Sequence, residues 1–244
     1  MDVSTRAVLT AAVAAIVAGA GVLGELPLVV AAGLLALVLA LGWAVLLDLP
    51  ARLGTTVVVA LGGAGAVIAV AATRGAPFLR ELPVVVALAI LLSFVNELAR
   101  QDGRLRLVES VTGTVTGVLV ATAAAGWVAA GRSPGGSSLV VSGAVALFLG
   151  AAVSAVPLGG WTGATVTTVA AVIGGGAVGA VMPGMDVLAG AVLGLATGIL
   201  VAALHVLFDR SRASEHRLAA LATIVLPVSV SGILVYVVGR VLLG

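Results

Sequence analysis

The sequence has no cysteine, no lysine and few charged residues of any kind. Without cysteine the chain forms no disulfide bond and has no thiol chemistry or cysteine-ligated metal site. Only 9% of its 244 residues are charged and 61% are hydrophobic, whereas a soluble domain carries about 25% charged residues. Because so little polar surface cannot cover a water-soluble globule, lipid is the natural solvent for this chain.

All twelve basic residues are arginine, and the net charge at pH 7 is only +2. A net charge this small gives no support to nucleic-acid binding, so we expect no nucleic-acid partner. The absence of lysine, together with a single asparagine (Asn96) and a single tyrosine (Tyr236), is typical of the codon usage of a high-GC bacterium. We therefore expect a multi-pass protein of a bacterial plasma membrane.

Nine apolar runs approach the length of about 20 helical residues that a bilayer core requires. They do not alternate in polarity, as transmembrane strands do. In chain order they span residues 7–24, 26–47, 55–72, 82–99, 107–130, 139–158, 161–182, 187–208 and 218–239. The sequence predicts an all-α polytopic membrane helix bundle of about nine transmembrane helices with short loops. We expect one transmembrane domain over residues 1–244, with the first run retained rather than cleaved as a signal peptide.

The arginines are distributed unevenly between the two ends of the predicted helices. If the N-terminus is cytoplasmic, eight arginines lie on the inner side and four on the outer side. The inner arginines are Arg6, Arg52, Arg100, Arg104, Arg106, Arg210, Arg212 and Arg217, and the outer ones are Arg74, Arg80, Arg132 and Arg240. The positive-inside rule then favours a cytoplasmic N-terminus and, with nine spans, a C-terminus outside.

Two repeated patterns suggest how the helices pair. Leu26-Pro27 and Leu82-Pro83 stand 56 residues apart at the starts of two segments, which is consistent with helical-hairpin repeats within residues 25–243 or with chance similarity in a biased composition. Gly190, Gly194 and Gly198 recur at every fourth position of the eighth segment. Such a glycine zipper provides a flat groove in which another helix can approach closely.

The first candidate site surrounds the most highly charged stretch of the chain. Asn96, Glu97 and Arg100 lie at the end of the fourth segment, Arg104 and Arg106 in the following loop, and Glu109 at the start of the fifth segment. If the two segments face each other, the arginines can hold a phosphate, and a carboxylate can accept a proton or bind Mg²⁺. The alternative is a solvated interfacial loop with positive-inside arginines.

The second candidate site is at the end of the eighth segment. His205 and Asp209 are one helical turn apart, so they can form a hydrogen bond and act as a base. No third ligand accompanies them, so we expect no metal ion and no cofactor. The alternative is a histidine that sits at the membrane interface. If the two candidate sites form one polar network, Asn96, Glu109 and His205 must all point into the bundle.

The pattern of polar residues favours a non-enzymatic function. No charged residue lies near the centre of a predicted span, where ion-coupled transporters carry one, and no Walker A or G-x-S-x-G motif is present. We expect a transporter, a flippase-like carrier or a membrane subunit of an envelope complex that handles a lipid or an apolar solute. The alternative is a lipid-modifying enzyme with a cytoplasmic-face site for a phosphate-containing lipid. Expected partners are membrane lipids and a membrane-protein partner or a second copy of the chain.

Overall fold

The computed structural model describes residues 3–103, 105–209 and 216–243, and these residues form helices joined by short connections. The helices are α1 (Val3–Leu23), α2 (Glu25–Leu46), α3 (Arg52–Ala72), α4 (Leu82–Leu98), α5 (Leu107–Ala123), α6 (Ala125–Gly131), α7 (Gly136–Ser154), α8 (Gly160–Val181), α9 (Val187–Asp209) and α10 (Arg217–Leu243). No strand occurs in this part of the chain. The predicted all-α class is confirmed.

Within the described residues, eight helical stretches are long and apolar enough to cross a membrane. One of them, Leu107–Gly131, contains both α5 and α6, which a single residue, Ala124, separates. The ninth apolar helix is α4, whose 17 residues lie at the short end of the usual range for a span. The structure thus agrees with the prediction of a membrane bundle of about nine helices.

The connections begin and end at residues suited to turns. Gly24, with φ of 116°, separates α1 from α2, and Gly135, with φ of 67°, precedes α7; glycine adopts these left-handed conformations without strain. Pro83 occupies the first turn of α4, where its missing N–H costs no hydrogen bond. Asp186 accepts a hydrogen bond of 2.6 Å from the backbone N–H of Ala189, as the N-cap residue of a helix does.

Helix α10 lies between two groups of helices. On one side are α2, α3, α4 and α5, and on the other are α1, α7, α8 and α9, while α10 contacts members of both. The short helix α6 is almost entirely buried against α10. Its Trp127 is fully buried and donates a hydrogen bond of 2.8 Å from Nε1 to the carbonyl oxygen of Val228. The core of the bundle is therefore centred on α6 and α10.

Helices α8 and α9 pack more extensively than any other pair, and they do so through glycine. A Cβ at Gly198 would lie 2.9 Å from the Cα of Thr168, and one at Gly194 would lie 2.6 Å from the Cα of Val172. Gly190 faces the backbone of Gly175 in the same way. Because the neighbouring atoms belong to the backbone of α8, the two helices approach as closely as their main chains allow.

One end of the bundle, which we name the N-terminal face, contains the start of α1. Ser4 Oγ donates a 2.9 Å hydrogen bond to the carbonyl oxygen of Ala155, in the α7–α8 connection. Thr10 Oγ1 donates a 3.0 Å hydrogen bond to the carbonyl oxygen of Ile224, near the start of α10. The α2–α3 and α4–α5 connections and the end of α9 lie at this face too, as the order of the antiparallel helices requires.

At the opposite end, which we name the C-terminal face, Arg132 contacts residues from several helices and connections. Its Nη1 donates hydrogen bonds of 2.6 and 2.8 Å to the carbonyl oxygens of Val70 and Ala71, and its Nε lies 3.3 Å from the carboxylate of Glu25. The guanidinium also lies 5.1 Å from the ring centroid of Phe78. Arg132 thus caps the last carbonyls of α3, as cations near a helix C-terminus do.

Candidate functional site

In the first predicted cluster, around Glu97, Arg100 forms hydrogen bonds with the neighbouring carboxylates. Arg100 Nη1 donates a 2.6 Å hydrogen bond to Glu97, and its Nη2 and Nε donate hydrogen bonds of 2.6 and 3.1 Å to Asp102. Nη2 also donates to the carbonyl oxygen of Leu105 at 3.1 Å. Ser110 Oγ donates to the other carboxylate oxygen of Glu97, whose residue is only 3% exposed. We name Glu97, Arg100, Asp102 and Ser110 the Glu97 cluster.

The Glu97 cluster leaves little capacity for a ligand. Arg100 follows the end of α4. Hydrogen bonds from its guanidinium raise the pKa of Arg100 above its ordinary value, and the bond to Asp102 contributes more than the bond to Glu97. Both carboxylate oxygens of Glu97 accept hydrogen bonds from inside the protein. The arrangement joins the end of α4 to the start of α5, as a network of charge-assisted hydrogen bonds does.

The other predicted residues of this region lie apart from the cluster. Asn96 is half-buried against Gly54 of α3, and its buried Nδ2 has no partner among the described residues. Arg106 Nη1 donates a 3.1 Å hydrogen bond to the carbonyl oxygen of Asp48, at the α2–α3 turn. Glu109 is exposed. Arg104 lies outside the described residues.

The second predicted cluster lies on the other side of the bundle. His205 belongs to α9, which packs mainly on α7, α8 and α10, whereas α4 packs on α3 and α5. The side chain of Asp209 lies outside the described part of the chain, so the predicted pair of His205 and Asp209 does too. The expectation that Asn96, Glu109 and His205 share one network is therefore wrong, because their helices pack against different neighbours and Glu109 faces outward.

His205 instead lies between two cavities at the N-terminal face. The first, which we name the Arg6 cavity, has a volume of about 50 Å³. It is lined by residues of α1, α7, α9 and α10, and its polar lining consists of Arg6, Thr10, Ser154, His205 and Thr223. Its apolar lining consists of Ala7, Ala151, Val201, Leu204, Phe208 and Pro227. Pro227 lies inside α10 at this point, and because proline has no N–H it leaves the carbonyl of Thr223 without its helical donor.

The second cavity, which we name the α8 cavity, has a volume of about 140 Å³ and lies between the end of α7, the start of α8 and α9. It shares Ser154 and His205 with the Arg6 cavity. Apolar side chains at its rim, Val156, Leu158 and Val206, are 52%, 41% and 41% exposed. The two cavities thus adjoin at Ser154 and His205, and we name them together the cleft; exposed apolar side chains lie beside it.

Arg6 is a site residue that the sequence did not single out. It was counted only among the inner arginines, yet its residue is 9% exposed and its Nε has no partner among the described residues. One signal in the sequence points to it: Thr10 follows four residues later on the same helix face. In the part of the chain that the structure describes, no three His, Asp or Glu side chains are grouped to hold a metal ion.

The chain was compared with family models, curated proteins and solved structures, and none of them matches it.

Proposed function

We propose that this protein is a membrane carrier that binds a lipid, or a solute of similar polarity, in the cleft formed by the Arg6 and α8 cavities. The observation that supports the proposal is that the two neighbouring cavities share the lining residues Ser154 and His205. The Arg6 cavity is the smaller and carries a guanidinium and an imidazole, which suit a charged head. The α8 cavity is the larger and is lined mainly by glycine and by valine, leucine and alanine side chains, which leave room for a chain. Ligand sites of this kind are mostly apolar, with a few polar groups that fix orientation.

The position of the cleft supports entry from the membrane. The rim of the α8 cavity includes the exposed apolar residues Val156, Leu158 and Val206. Val206 lies on α9, where an exposed apolar side chain faces lipid chains, and Val156 and Leu158 lie in the α7–α8 connection at the N-terminal face. An amphiphile can then reach the cleft sideways, without its chain passing through water.

Carrier function is better supported than enzymatic function. Among the described residues, no acidic side chain lines either cavity, and Glu97 is engaged by Arg100 and Ser110. Hydrolysis or group transfer needs an acid or base within reach of the reacting atoms. The alternative, a lipid-modifying enzyme, is favoured only by the imidazole of His205, which lines both compartments.

Filling the α8 cavity is expected to weaken lipid binding. Ala164 lines this cavity, so Ala164→Phe places a ring where the solute chain would lie. An overpacking cost of about 1–3 kcal/mol corresponds to a loss of roughly 5- to 150-fold in affinity. The measurement is binding of a fluorescently labelled phosphatidylglycerol to the purified protein in detergent, followed by transfer of the lipid between leaflets in reconstituted vesicles.

Val166→Phe is the matched control for this variant. Val166 lies on the same helix two residues away, is 44% exposed and lines neither cavity. It should bind the labelled lipid as the unmodified protein does. Equal binding by both variants and the unmodified protein would contradict the proposed site, and no lipid binding by any of them would contradict the carrier function.

We also propose that the N-terminal face is cytoplasmic, on the basis of the arginine distribution. Because the chain has no cysteine, Gln101→Cys and Val241→Cys each introduce a single thiol. A membrane-impermeant maleimide added to intact cells is expected to label residue 241 and not residue 101. Labelling of both residues from the same side would contradict the nine-span arrangement, and the reverse pattern would invert the orientation.

A further inference from the structure

Arg6 is a buried charge without a described counter-charge. Its residue is 9% exposed, and its Nε makes no hydrogen bond within the described part of the chain. No described carboxylate lies within ion-pair distance of it. A charge in a low-dielectric environment is costly unless it is paired and hydrogen-bonded. The guanidinium therefore lacks an anionic partner among the side chains that the structure describes.

The space beside Arg6 has the size of a small anion. The Arg6 cavity measures about 50 Å³, and one water needs about 10–15 Å³ measured in this way. There is room for a few water molecules or for one tetrahedral oxyanion. His205 lines the same cavity and can supply a second N–H donor, since even a neutral imidazole carries one.

The hydroxyl groups of the Arg6 cavity can accept hydrogen bonds from a ligand, whereas Arg6 can only donate them. Thr10, Ser154 and Thr223 donate their hydroxyl protons to backbone carbonyls at 3.0, 2.8 and 2.8 Å. Their oxygen lone pairs remain available, so they act as acceptors. A ligand that fits this lining carries an anionic oxygen for Arg6 and a donor, such as a hydroxyl or an ammonium group, for the threonines and the serine.

We propose that the Arg6 cavity binds the phosphate-bearing head of an anionic lipid, with Arg6 as the group that recognises the negative charge. This inference rests on the proposed carrier function, since it names the class of solute that occupies the same cleft. The chain of the lipid would lie in the α8 cavity, beyond His205 and Ser154. The guanidinium is suited to this task because its fixed N–H donors match the oxygens of a phosphate.

The test compares three probes: phosphatidylglycerol, which carries a phosphate and hydroxyls; diacylglycerol, which lacks the phosphate; and inorganic phosphate. Binding to the full chain in detergent is measured for the unmodified protein, Arg6→Gln and Arg6→Lys. We expect the unmodified protein to prefer phosphatidylglycerol over diacylglycerol by about tenfold or more, the range for a charge-assisted hydrogen bond. Arg6→Gln should lose this preference while retaining its affinity for diacylglycerol, and Arg6→Lys should keep part of the preference.

Arg52→Gln is the matched control, because Arg52 lies at the same face with a side chain that is 58% exposed and is paired with Asp48. It should leave the preference for phosphatidylglycerol unchanged. Equal binding of both lipids by the unmodified protein, with no effect of Arg6→Gln, would overturn the inference while leaving the carrier function standing. Binding of neither lipid would overturn both, and Arg6-dependent binding of inorganic phosphate alone would make this a site for a soluble anion.

Thermal stability of the ligand-free protein separates recognition from a structural role. Arg6→Gln removes an unpaired buried charge, so the melting temperature should stay the same or rise. If Arg6 is instead paired with a carboxylate whose side chain lies outside the described residues, namely Asp2, Asp209 or Glu215, then Arg6→Gln should lower the melting temperature. An equal decrease in the corresponding Asp→Asn or Glu→Gln variant would confirm that pairing and overturn the inference.

Discussion

A leucine at position 194 is expected to push α9 away from α8 and to lower the thermal stability of the protein in detergent. A Cβ at this position would meet the carbonyl oxygen of Ala171 and would lie 2.6 Å from the Cα of Val172. Both atoms belong to the backbone of α8, so no side-chain rotation can make room. Overpacking costs about 1–3 kcal/mol where side chains can adjust, and we expect Gly194→Leu to reach at least the upper end of that range.

A graded series tests this contact. Gly194→Ala already places a Cβ against the α8 backbone and should be measurably destabilised, with Gly194→Leu more so. Gly19→Leu is the control, since Gly19 lies in the apolar helix α1 and has no atom within 4 Å of the position of a Cβ. Unchanged melting temperatures for both Gly194 variants would mean that α8 and α9 do not pack through this surface.

The helices could be predicted from the sequence because burial in lipid imposes a simple requirement. Backbone groups in hydrocarbon must be hydrogen-bonded within the chain, so a long apolar run becomes a helix whatever surrounds it. The predicted segment 82–99 accordingly corresponds to α4, Leu82–Leu98. The close contact at Gly194 was also foreseeable, because glycine at every fourth position exposes backbone along one helix face.

The site was harder to predict because it depends on which helices are neighbours. Hydropathy says nothing about whether α4 or α1 packs near α9, and the structure places Arg6 of α1 and His205 of α9 in the lining of one cavity. Nor does the spacing of Glu97 and Arg100 distinguish an open phosphate site from a closed ion pair. That distinction depends on Asp102 and Ser110, whose side chains complete the hydrogen bonds of Arg100 and Glu97.

Replacing Glu97 by glutamine is expected to destabilise the α4–α5 connection. The Glu97 carboxylate accepts hydrogen bonds from Arg100 and Ser110 in a site where its side chain is only 4% exposed. The neutral amide of glutamine has one oxygen that can accept a hydrogen bond from Arg100 or Ser110, and it presents an N–H group to the other of these two donors. Arg100 retains its two hydrogen bonds to Asp102, so the guanidinium is not left without a counter-charge. We therefore expect a fall of several degrees in the melting temperature rather than complete unfolding.

Glu109→Gln is the matched control for Glu97→Gln, because it makes the same chemical change at an exposed position of the same face and should leave the melting temperature nearly unchanged. A double-mutant cycle with Ser110→Ala then isolates the hydrogen bond between Ser110 and Glu97, since contacting residues show non-additive effects. Additive effects of Glu97→Gln and Ser110→Ala would contradict this contact. A residue that only joins α4 to α5 affects binding through folding alone. If Glu97→Gln lost more phosphatidylglycerol binding than its loss of folded protein explains, Glu97 would be part of the binding site.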